Sequence, residues 1–369
     1  MNEHRTLMGS ASSAAVGAAL LAVSCIAPPP PPGPSVTPAT HTTESRRTGA
    51  AATSKTDDAP TAVGPWKKGQ NPFIGVRFFS DPYSPARLQS VSLKDSEPPK
   101  AALFAKVADG GGADWIGEWS GNVENWVGKR VTLLHSKGAL PIFIVYNVPK
   151  RDCGQYSTGG IEKGEAYKKW IAAFATGIGN RRAAVILEPD ALGLLKKCLS
   201  EVDQKERLEL LRFAVHSFAS LGNTAVYIDA GNSDWIKAPE MAERLKGAGI
   251  DEADGFALNV SNYKTTESSI QFGKDLSNRL KGKHFVIDTS RNGKGPPDSC
   301  KDPEGESCWC NPPGRGLGVL PTAQTADPLV DAYLWLKKPG ESDGACNGGP
   351  KAGSFWPEQA LDLAKNAVF

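Results

Sequence analysis

Short apolar runs recur along the chain from about residue 70, each bounded by polar, Gly or Pro residues. Seven such runs are present: FIGVRF (73–78), LPIFIVY (140–146), AAVILE (183–188), AVYIDA (225–230), GFALNV (255–260), HFVIDT (284–289) and DAYLWL (331–336). Continuous apolar runs are typical of parallel strands that are buried on both faces. Between them, QKERLELLRFAVHSFASLG (204–222) has apolar residues at helical spacing and ends in Gly222, which predicts a helix with a C-terminal glycine stop. Strands that alternate with helices predict an α/β protein.

Polar or charged residues end nearly every run, as at Tyr146, Glu188, Asp229 and Asp288. The loops at the C-terminal ends of parallel strands converge on the active site in α/β proteins. A doubly wound sheet concentrates its function at one switch point, whereas here the polar groups follow almost every predicted strand. The pattern therefore favours a β/α barrel.

The first 65 residues have a different composition from the rest. Residues 1–27 predict an export signal, with Arg5 ahead of a small-residue and apolar stretch that is too short to span a bilayer. Cys25 follows a sequence similar to a lipoprotein cleavage box, so both a lipid anchor and simple cleavage remain open. Residues 28–65 are rich in Pro, Thr, Ser and Ala, which predicts a solvated linker. One folded domain is expected over residues 66–369.

Charge and cysteine content narrow the classes of function. A net charge of +2 without a basic stripe argues against a nucleic-acid partner. With seven cysteines, a separate fate for Cys25 leaves six that can pair in the oxidising compartment that export implies. The cluster CKDPEGESCWC has no CxxC pair and no nearby His, so no metal is expected. The sequence also lacks GxSxG and HExxH, and no GxGxxG follows a predicted strand.

Three aspartates lie where predicted strands end, namely Asp152, Asp190 and Asp343. An isolated Asp in a loop is most often a turn or cap residue, but three at one rim favour chemistry. Two carboxyl groups that flank a bond suffice for glycoside hydrolysis, with one protonated and one ionised. In VILEPDALG we expect Glu188 to end the strand and shape the turn, and Asp190 to point into a cleft that faces Asp152.

The motifs VYNVPKRDC, YSTGG, VILEPDALG, VYIDAGNSDW, NVSNY, IDTSRNGKGP, WCNPPGRGLG and DAYLWLKKPGESDG follow one another along the chain. In this order, over about residues 70 to 369, they resemble glycoside hydrolase family 6, the cellulose-degrading endoglucanases and cellobiohydrolases. The resemblance implies a distorted seven-stranded parallel β/α barrel with one catalytic domain. It also implies inverting β-1,4-glucan hydrolysis without a metal or other cofactor.

The resemblance assigns a role to each aspartate. Asp190 falls on the family's general acid. Asp152 falls on the carboxylate that keeps this acid protonated and helps to place water, and Asp343 falls on the carboxylate often proposed as the base. The other positions that carry over, as sugar-binding or loop residues, are Tyr146, Ser157, Trp235, Asn262, Trp309, Lys337 and Glu341. Phe79 stands at a stacking position that is often Trp, and Asn232 replaces a frequent His. For Trp115, Trp119 and Trp335, packing and sugar contact both remain open, and Asp229 and Asp288 could serve only to hold the site together.

By the same resemblance, Cys153 should pair with Cys198 and Cys310 with Cys346, which leaves Cys300 and Cys308 as a local pair. The loops that would roof a chain-end enzyme are short, so an endoglucanase with an open cleft is expected. A cellobiohydrolase is the alternative, and a non-catalytic surface glucan-binding protein is a third possibility that the presence of Asp190 and Asp152 argues against. The expected ligands are β-1,4-glucans and cello-oligosaccharides, with no protein partner implied, and the expected location is secreted or at the cell surface.

Overall fold

A computed structural model describes residues 63–300, 305–325 and 327–369. The predicted signal segment, Cys25 and residues 28–62 of the predicted linker lie outside this range. The strands are β1 (Asp114–Ile116), β2 (Ile142–Val145), β3 (Ala183–Leu187), β4 (Thr224–Asp229), β5 (Gly255–Leu258), β6 (His284–Asp288) and β7 (Val330–Leu334). They form one seven-stranded sheet in the order β1 to β7, and every neighbouring pair is parallel.

Helices lie between successive strands, before β1 and after β7. They are α1 (Pro85–Ser92), α2 (Pro98–Asp109), α3 (Val123–Ser136), α4 (Gly164–Ile178), α5 (Glu201–Ala219), α6 (Ala238–Gly247), α7 (Thr266–Arg279), the short α8 (Glu306–Trp309) and α9 (Pro357–Lys365). The helix predicted over 204–222 is α5, which begins earlier because Ser200 and Asp203 form a capping box. Gly222 follows its end with φ +76°. None of the described helices is long and apolar enough to cross a membrane.

Side chains alternate between two cores along each strand. In β3, Val185 and Leu187 belong to the large cluster between sheet and helices, whereas Ala184 and Ile186 belong to the cluster inside the curled sheet. Small residues recur on the inner face, where the strands curve toward one another; they are Ala184, Ala225, Ala257 and Ala332. Burial of both faces explains why the strands read as continuous apolar runs.

The sheet curls into a barrel whose edges, β1 and β7, meet without a regular ladder. One backbone hydrogen bond joins the edges, from Ala113 N to Trp335 O at 3.2 Å. The indole Nε1 of Trp115 donates to Leu336 O at 2.9 Å beside it. These contacts confirm the predicted distorted seven-stranded β/α barrel.

The number of strands was correct, but the first predicted strand was wrong. Residues 73–78 form no strand, and their pairing is a single bridge between Arg77 and Ala139. Gly75 has φ +70° and Ile74 is 66% exposed, so the run turns and cannot lie between two buried faces. Phe73 nevertheless fills the interior of the barrel, with its ring 5.8 Å from that of Tyr227. The place of the first strand is taken by Asp114–Ile116, which is too short to show a periodic pattern.

Three disulfides confirm the implied pairings: Cys153–Cys198, Cys300–Cys308 and Cys310–Cys346. The first ties the segment that follows Asp152 to the segment that precedes α5. The third ties the end of α8 to the loop that follows Asp343. Two of the three bridges therefore hold loops at the C-terminal rim of the barrel.

Candidate active site

The turn after β3 separates its two acidic residues. Both Glu188 and Asp190 have left-handed backbones, with φ +47° and +67°, so the chain reverses sharply at this point. Glu188 is 1% exposed, and its carboxylate accepts the backbone N–H groups of Asn147, at 2.9 and 3.0 Å, and Val148, at 3.1 Å. The hydroxyl of Tyr167 donates to the same carboxylate at 2.9 Å. Burial raises the pKa of Glu188 to about 7. This side chain joins the ends of β3 and β2, whereas Asp190 remains half-buried at the rim.

Asp190 lies among other carboxylates. Its backbone N–H donates to Asp229 Oδ2 at 2.9 Å, and Gly231 N donates to the same oxygen at 3.1 Å. Burial raises the pKa of Asp190 well above its usual range, and the negative charges of Asp229, Asp152 and Asp343 raise it further. Its carboxyl group therefore keeps its proton to a higher pH than an ordinary aspartic acid does.

Asp152 begins a tight loop after β2. Asp152 and Cys153 both have left-handed backbones, with φ +60° and +50°, and Asp152 Oδ2 accepts the N–H of Ser157 at 2.7 Å. Burial raises the pKa of Asp152, against the opposing effects of the Ser157 hydrogen bond and the charges of Arg151 and Lys197. The loop thus closes on its own first carboxylate, and the Cys153–Cys198 bridge holds its start.

Arg151 holds this loop in place through hydrogen bonds and an ion pair. Its side chain is 4% exposed and forms two hydrogen bonds with the Glu118 carboxylate, at 2.7 and 3.0 Å. It also donates to Tyr146 O at 2.7 Å and Ser157 O at 2.8 Å. The guanidinium lies 4.5 Å from the ring centre of Tyr146 and 5.1 Å from that of Trp119. These contacts of Arg151 were not predicted, although Arg151 directly precedes Asp152 in the sequence.

Asp343 has a cationic environment. Nη1 of the fully buried Arg291 contacts both of its oxygens, at 3.0 and 2.8 Å, and the Tyr263 hydroxyl donates at 3.1 Å. Asn311 N donates at 3.1 Å, and Lys337 Nζ lies 3.6 Å away. Burial alone would raise the pKa of Asp343, but the charges of Arg291 and Lys337 outweigh it and the pKa is lowered. Asp343 is therefore held ionised. Arg291 was not predicted as a site residue, although it stands only three residues after β6.

Residues 73–367 match the family model of glycosyl hydrolases family 6. The chain belongs to this family. It is 45% identical over 273 residues to endoglucanase A of Cellulomonas fimi, a match that covers 72% of this chain and 56% of that protein. It is 40% identical over 296 residues to endoglucanase A of Thermobispora bispora, covering 79% of this chain and 62% of the relative. The chain thus spans less than two thirds of either relative.

A solved endoglucanase structure is similar to this chain over nearly its whole length. The endoglucanase Cel6 from Mycobacterium tuberculosis, in complex with methyl-cellobiosyl-4-deoxy-4-thio-β-D-cellobioside, superposes with a TM-score of 0.75 at 43% identity. The match covers 80% of this chain and 99% of that one. The family 6 fold is therefore present here.

Several sugar-binding positions implied by the family resemblance lie at this rim. Tyr146 is 5% exposed, with its ring 5.1 Å from Trp115 in an edge-on arrangement. Trp235 packs on Gly193, where an added Cβ would lie 2.4 Å from the indole. Trp309 lies 6.4 Å from the ring of Tyr156.

The polar residues predicted to bind sugar hydroxyls differ in how closely they contact other side chains. Lys337 contacts Asp343, whereas Glu341 lies 4.0 Å from Lys338 Nζ. Asn262 is half-buried in the turn after β5. Asn232 is 8% exposed, and its Oδ1 accepts the N–H of Asp234 at 3.1 Å, so it shapes a turn.

Phe79 lies beside Arg130, whose guanidinium is 5.4 Å from the ring centre. It lines a small cavity of about 20 Å³ together with Asp114 and Trp335. Trp335 itself is 2% exposed and donates to Val319 O at 3.0 Å, which makes it a core residue.

Asp229 and Asp288 serve as acceptors for the backbone. Asp229 receives the N–H groups of Asp190 and Gly231. Asp288 is fully buried and receives four backbone N–H groups, from Ser261, Ser290, Leu336 and Lys337. Both residues hold rim loops together. Within the described parts of the chain, no group of three or more His, Cys, Asp or Glu side chains is placed to hold a metal ion.

Proposed function

We propose that this chain is an inverting endo-β-1,4-glucanase that hydrolyses internal bonds of cellulose or related β-1,4-glucans. The observation that carries the proposal is the contrast within one rim between Asp190, with a raised pKa, and Asp343, held ionised by Arg291. A protonated and an ionised carboxyl group are the two states that glycoside hydrolysis requires. The similarity to proteins named endoglucanase supports the internal mode of attack.

In the proposed reaction, Asp190 gives its proton to the glycosidic oxygen while the bond from that oxygen to the anomeric carbon breaks. Water adds to the anomeric carbon from the opposite face and loses a proton, so the new hydroxyl has the inverted configuration. The negative charge of Asp343 stabilises the positive charge that develops on the sugar ring. The resemblance implies that Asp343 is the base. The lowered pKa of Asp343, however, makes its carboxylate a weak base.

We therefore assign the proton from water to Asp152, which has a raised pKa and lies in the adjacent loop. Azide can replace the water in an inverting enzyme that lacks its base. Azide should therefore rescue Asp152→Ala and give an inverted glycosyl azide, with less rescue of Asp343→Ala. The reverse order of rescue would move the base to Asp343.

The proposed sugar contacts follow from chemistry. Aromatic faces stack on the C–H faces of glucose, which suits Trp235 and Trp309, and Tyr146 lies beneath the distorted sugar. Lys337, Glu341, Asn262 and Ser157 are proposed to bind hydroxyl groups. By the same resemblance, half-buried Phe79 is proposed to stack on a sugar, and Asn232 is proposed to bind a hydroxyl group. The protein is proposed to be exported, and either released or held at the cell surface by lipid on Cys25; the three disulfides support export.

The test compares viscosity loss and reducing-sugar release on carboxymethyl cellulose for the wild type, Asp190→Ala and the exposed control Asp95→Ala. We expect a fast fall in viscosity for the wild type and the control, and its loss in Asp190→Ala. Release of cellobiose with little change in viscosity would support the cellobiohydrolase alternative. A wild-type protein that binds the glucan without releasing sugar would support a non-catalytic binding protein. Full activity in Asp190→Ala would remove its assignment as the acid.

A further inference from the structure

Arg207 is a buried cation on the core side of α5. It is 4% exposed, and it lies one helical turn before Leu210 and Leu211, which are also buried. An arginine is almost never fully buried unless it is paired, because burial of a charge is costly. A leucine at this position would continue the apolar face of the helix. The charge at position 207 therefore needs a reason beyond the packing of α5 against the sheet.

The guanidinium of Arg207 joins the loop after β2 to the loop after β3. Nη2 donates to Pro149 O at 2.6 Å and to Lys150 O at 3.3 Å. Nη1 donates to Ala191 O at 3.2 Å. The guanidinium is planar and presents its donors in a rigid fork. One side chain thus holds the backbones of the two loops at a fixed distance from each other.

The two loops carry two aspartates of the proposed reaction. Asp152 stands two residues after the second of the bound carbonyls in the first loop, and Asp190 directly precedes the bound carbonyl in the second. The Cys153–Cys198 bridge ties the chain on one side of Asp152, and Arg207 ties it on the other. Burial raises the pKa of Asp190 most, and the negative charge of Asp152 is among the charges that raise it further. The distance between the loops therefore affects the proton on Asp190.

Glu188 provides the opposite charge for Arg207. Its carboxylate accepts the N–H groups of Asn147 and Val148, the two residues that precede those whose carbonyls Arg207 binds. Four consecutive residues are therefore held by two side chains, the first two through N–H and the next two through C=O. Burial raises the pKa of Glu188 to about 7, and the charge of Arg207 opposes this rise. Loss of Arg207 would leave the start of the loop held and release the part that leads to its aspartate.

We propose that Arg207 is a positioning residue, which fixes the spacing of Asp152 and Asp190 through the backbones of their loops. The proposal rests on the proposed glucanase function and extends the residues that support it to α5. Without the guanidinium, three carbonyl oxygens would lose their donors, and the loops would separate to let water reach them. A wider spacing weakens the effect of the Asp152 charge on Asp190. It also displaces the water from which Asp152 is proposed to take a proton.

The first test follows the proton on Asp190 and needs no activity. With ¹³C at the carboxyl carbon of aspartate, NMR records the titration of the aspartates, and the signal of Asp190 is the one that Asp190→Asn lacks. The wild type is compared with Arg207→Lys, Arg207→Gln and the control Arg212→Gln, which replaces an exposed arginine of the same helix. In both Arg207 variants the pKa of Asp190 should fall, because Asp152 is farther away. The control should match the wild type.

The two substitutions at Arg207 separate spacing from charge. Loss of a positive charge by itself raises the pKa of a nearby carboxyl group, whereas wider spacing from Asp152 lowers it. Arg207→Lys keeps the charge and removes only the planar fork of donors, so it decides the matter even if Arg207→Gln does not fold. An unchanged or raised pKa of Asp190 in Arg207→Lys would overturn the proposal. A rise in Arg207→Gln with no change in Arg207→Lys would assign the effect to charge alone.

The kinetic test separates positioning from a general loss of structure. On carboxymethyl cellulose, kcat of Arg207→Lys should fall roughly 10- to 100-fold with little change in KM, because a misplacement of about 1 Å can cost ~10²-fold. The alkaline limb of its kcat profile should move to lower pH together with the NMR titration. A fall in kcat that only matches the unfolded fraction, with the limb in place, would leave Arg207 a purely structural role and overturn the proposal. A wild-type protein that hydrolyses no glucan would instead defeat the proposed function, with the NMR comparison unaffected.

Discussion

Asp190 and Asp343 are half-buried aspartates at the same rim of the barrel, but their neighbours have opposite charge. Asp190 faces Asp229, Asp152 and Asp343, and its pKa is raised. Asp343 contacts Arg291 and Lys337, and its pKa is lowered. Burial favours the neutral acid in both places, so the charge of the neighbours decides which of the two keeps a proton.

The comparison also separates two kinds of support. Asp190 is oriented through its backbone, since its N–H donates to Asp229, and its carboxyl group is left at the half-buried rim. Asp343 is held through its side chain by Arg291, Tyr263 and Asn311. In the proposed reaction Asp190 transfers a proton, so its carboxyl group must stay accessible. Asp343 supplies only a fixed negative charge, so its carboxylate can be held by hydrogen bonds and ion pairs.

The largest expected effect is on catalysis by Asp190→Asn. We expect kcat/KM on carboxymethyl cellulose to fall roughly 10³-fold, within the range of about 10² to 10⁴ for loss of a general acid. A dinitrophenyl cellobioside, whose leaving group needs no proton, should lose far less. Similar losses on both substrates would show that Asp190 does not act as an acid, and the difference from Asp343 would lose its catalytic meaning.

Next in size is the stability effect of Arg291→Leu, which leaves Asp343 without its main cation. Removal of one partner of a buried ion pair should lower the free energy of unfolding by about 3 to 5 kcal/mol. Chemical denaturation with the disulfides intact measures this loss. The double variant Arg291→Leu/Asp343→Asn should recover part of it, because the buried charge is gone. If the double variant were the less stable one, the pair would not be the source of the effect.

The third prediction concerns Asp229, whose negative charge raises the pKa of Asp190 more than any other charge does. Asp229→Asn keeps an acceptor for Asp190 N–H but removes a negative charge, so the pKa of Asp190 should fall toward its usual value. A general acid is active below its pKa, so the alkaline limb of the kcat profile should move to lower pH. Activity on the acid side should change little. A limb that stays in place would remove Asp229 as a cause of the raised pKa of Asp190 and leave burial with the charges of Asp152 and Asp343.

The smallest effect should come from Lys337→Met. Lys337 Nζ is 3.6 Å from Asp343 and 3.4 Å from Ser342 O, so its contacts are longer than those of Arg291. We expect a loss of about 1 kcal/mol in the free energy of unfolding, as for one weak hydrogen bond. A loss as large as that of Arg291→Leu would mean that the two cations share the charge of Asp343 equally.

Much of the fold could be predicted because six of the seven strands are buried on both faces and read as apolar runs. The first strand could not, because Asp114–Ile116 has only three residues, while the run at 73–78 owes its apolar character to Phe73 inside the barrel. Length and periodicity carry no information about a three-residue edge strand.

The three carboxylates could be predicted from their motifs, but the arginines that hold them or their loops in place could not. Arg151 and Arg291 act through contacts with residues far along the chain, such as Glu118 and Asp343. The left-handed backbone at Asp190 likewise depends on the folded rim and not on a glycine. The stacking role proposed for Phe79 follows from the resemblance, whereas its contact with Arg130 could not be predicted from the sequence.

The bridges Cys153–Cys198 and Cys310–Cys346 close segments of 45 and 36 residues beside Asp152 and Asp343. Each such cross-link removes about 4 kcal/mol of chain entropy from the unfolded state. A thiol reductant would therefore lower the stability of the whole barrel, and it would also release the covalent tethers beside Asp152 and Asp343. Such a reagent would inhibit the proposed glucanase, although the proposed reaction transfers no electrons, and its removal in air would restore the rate.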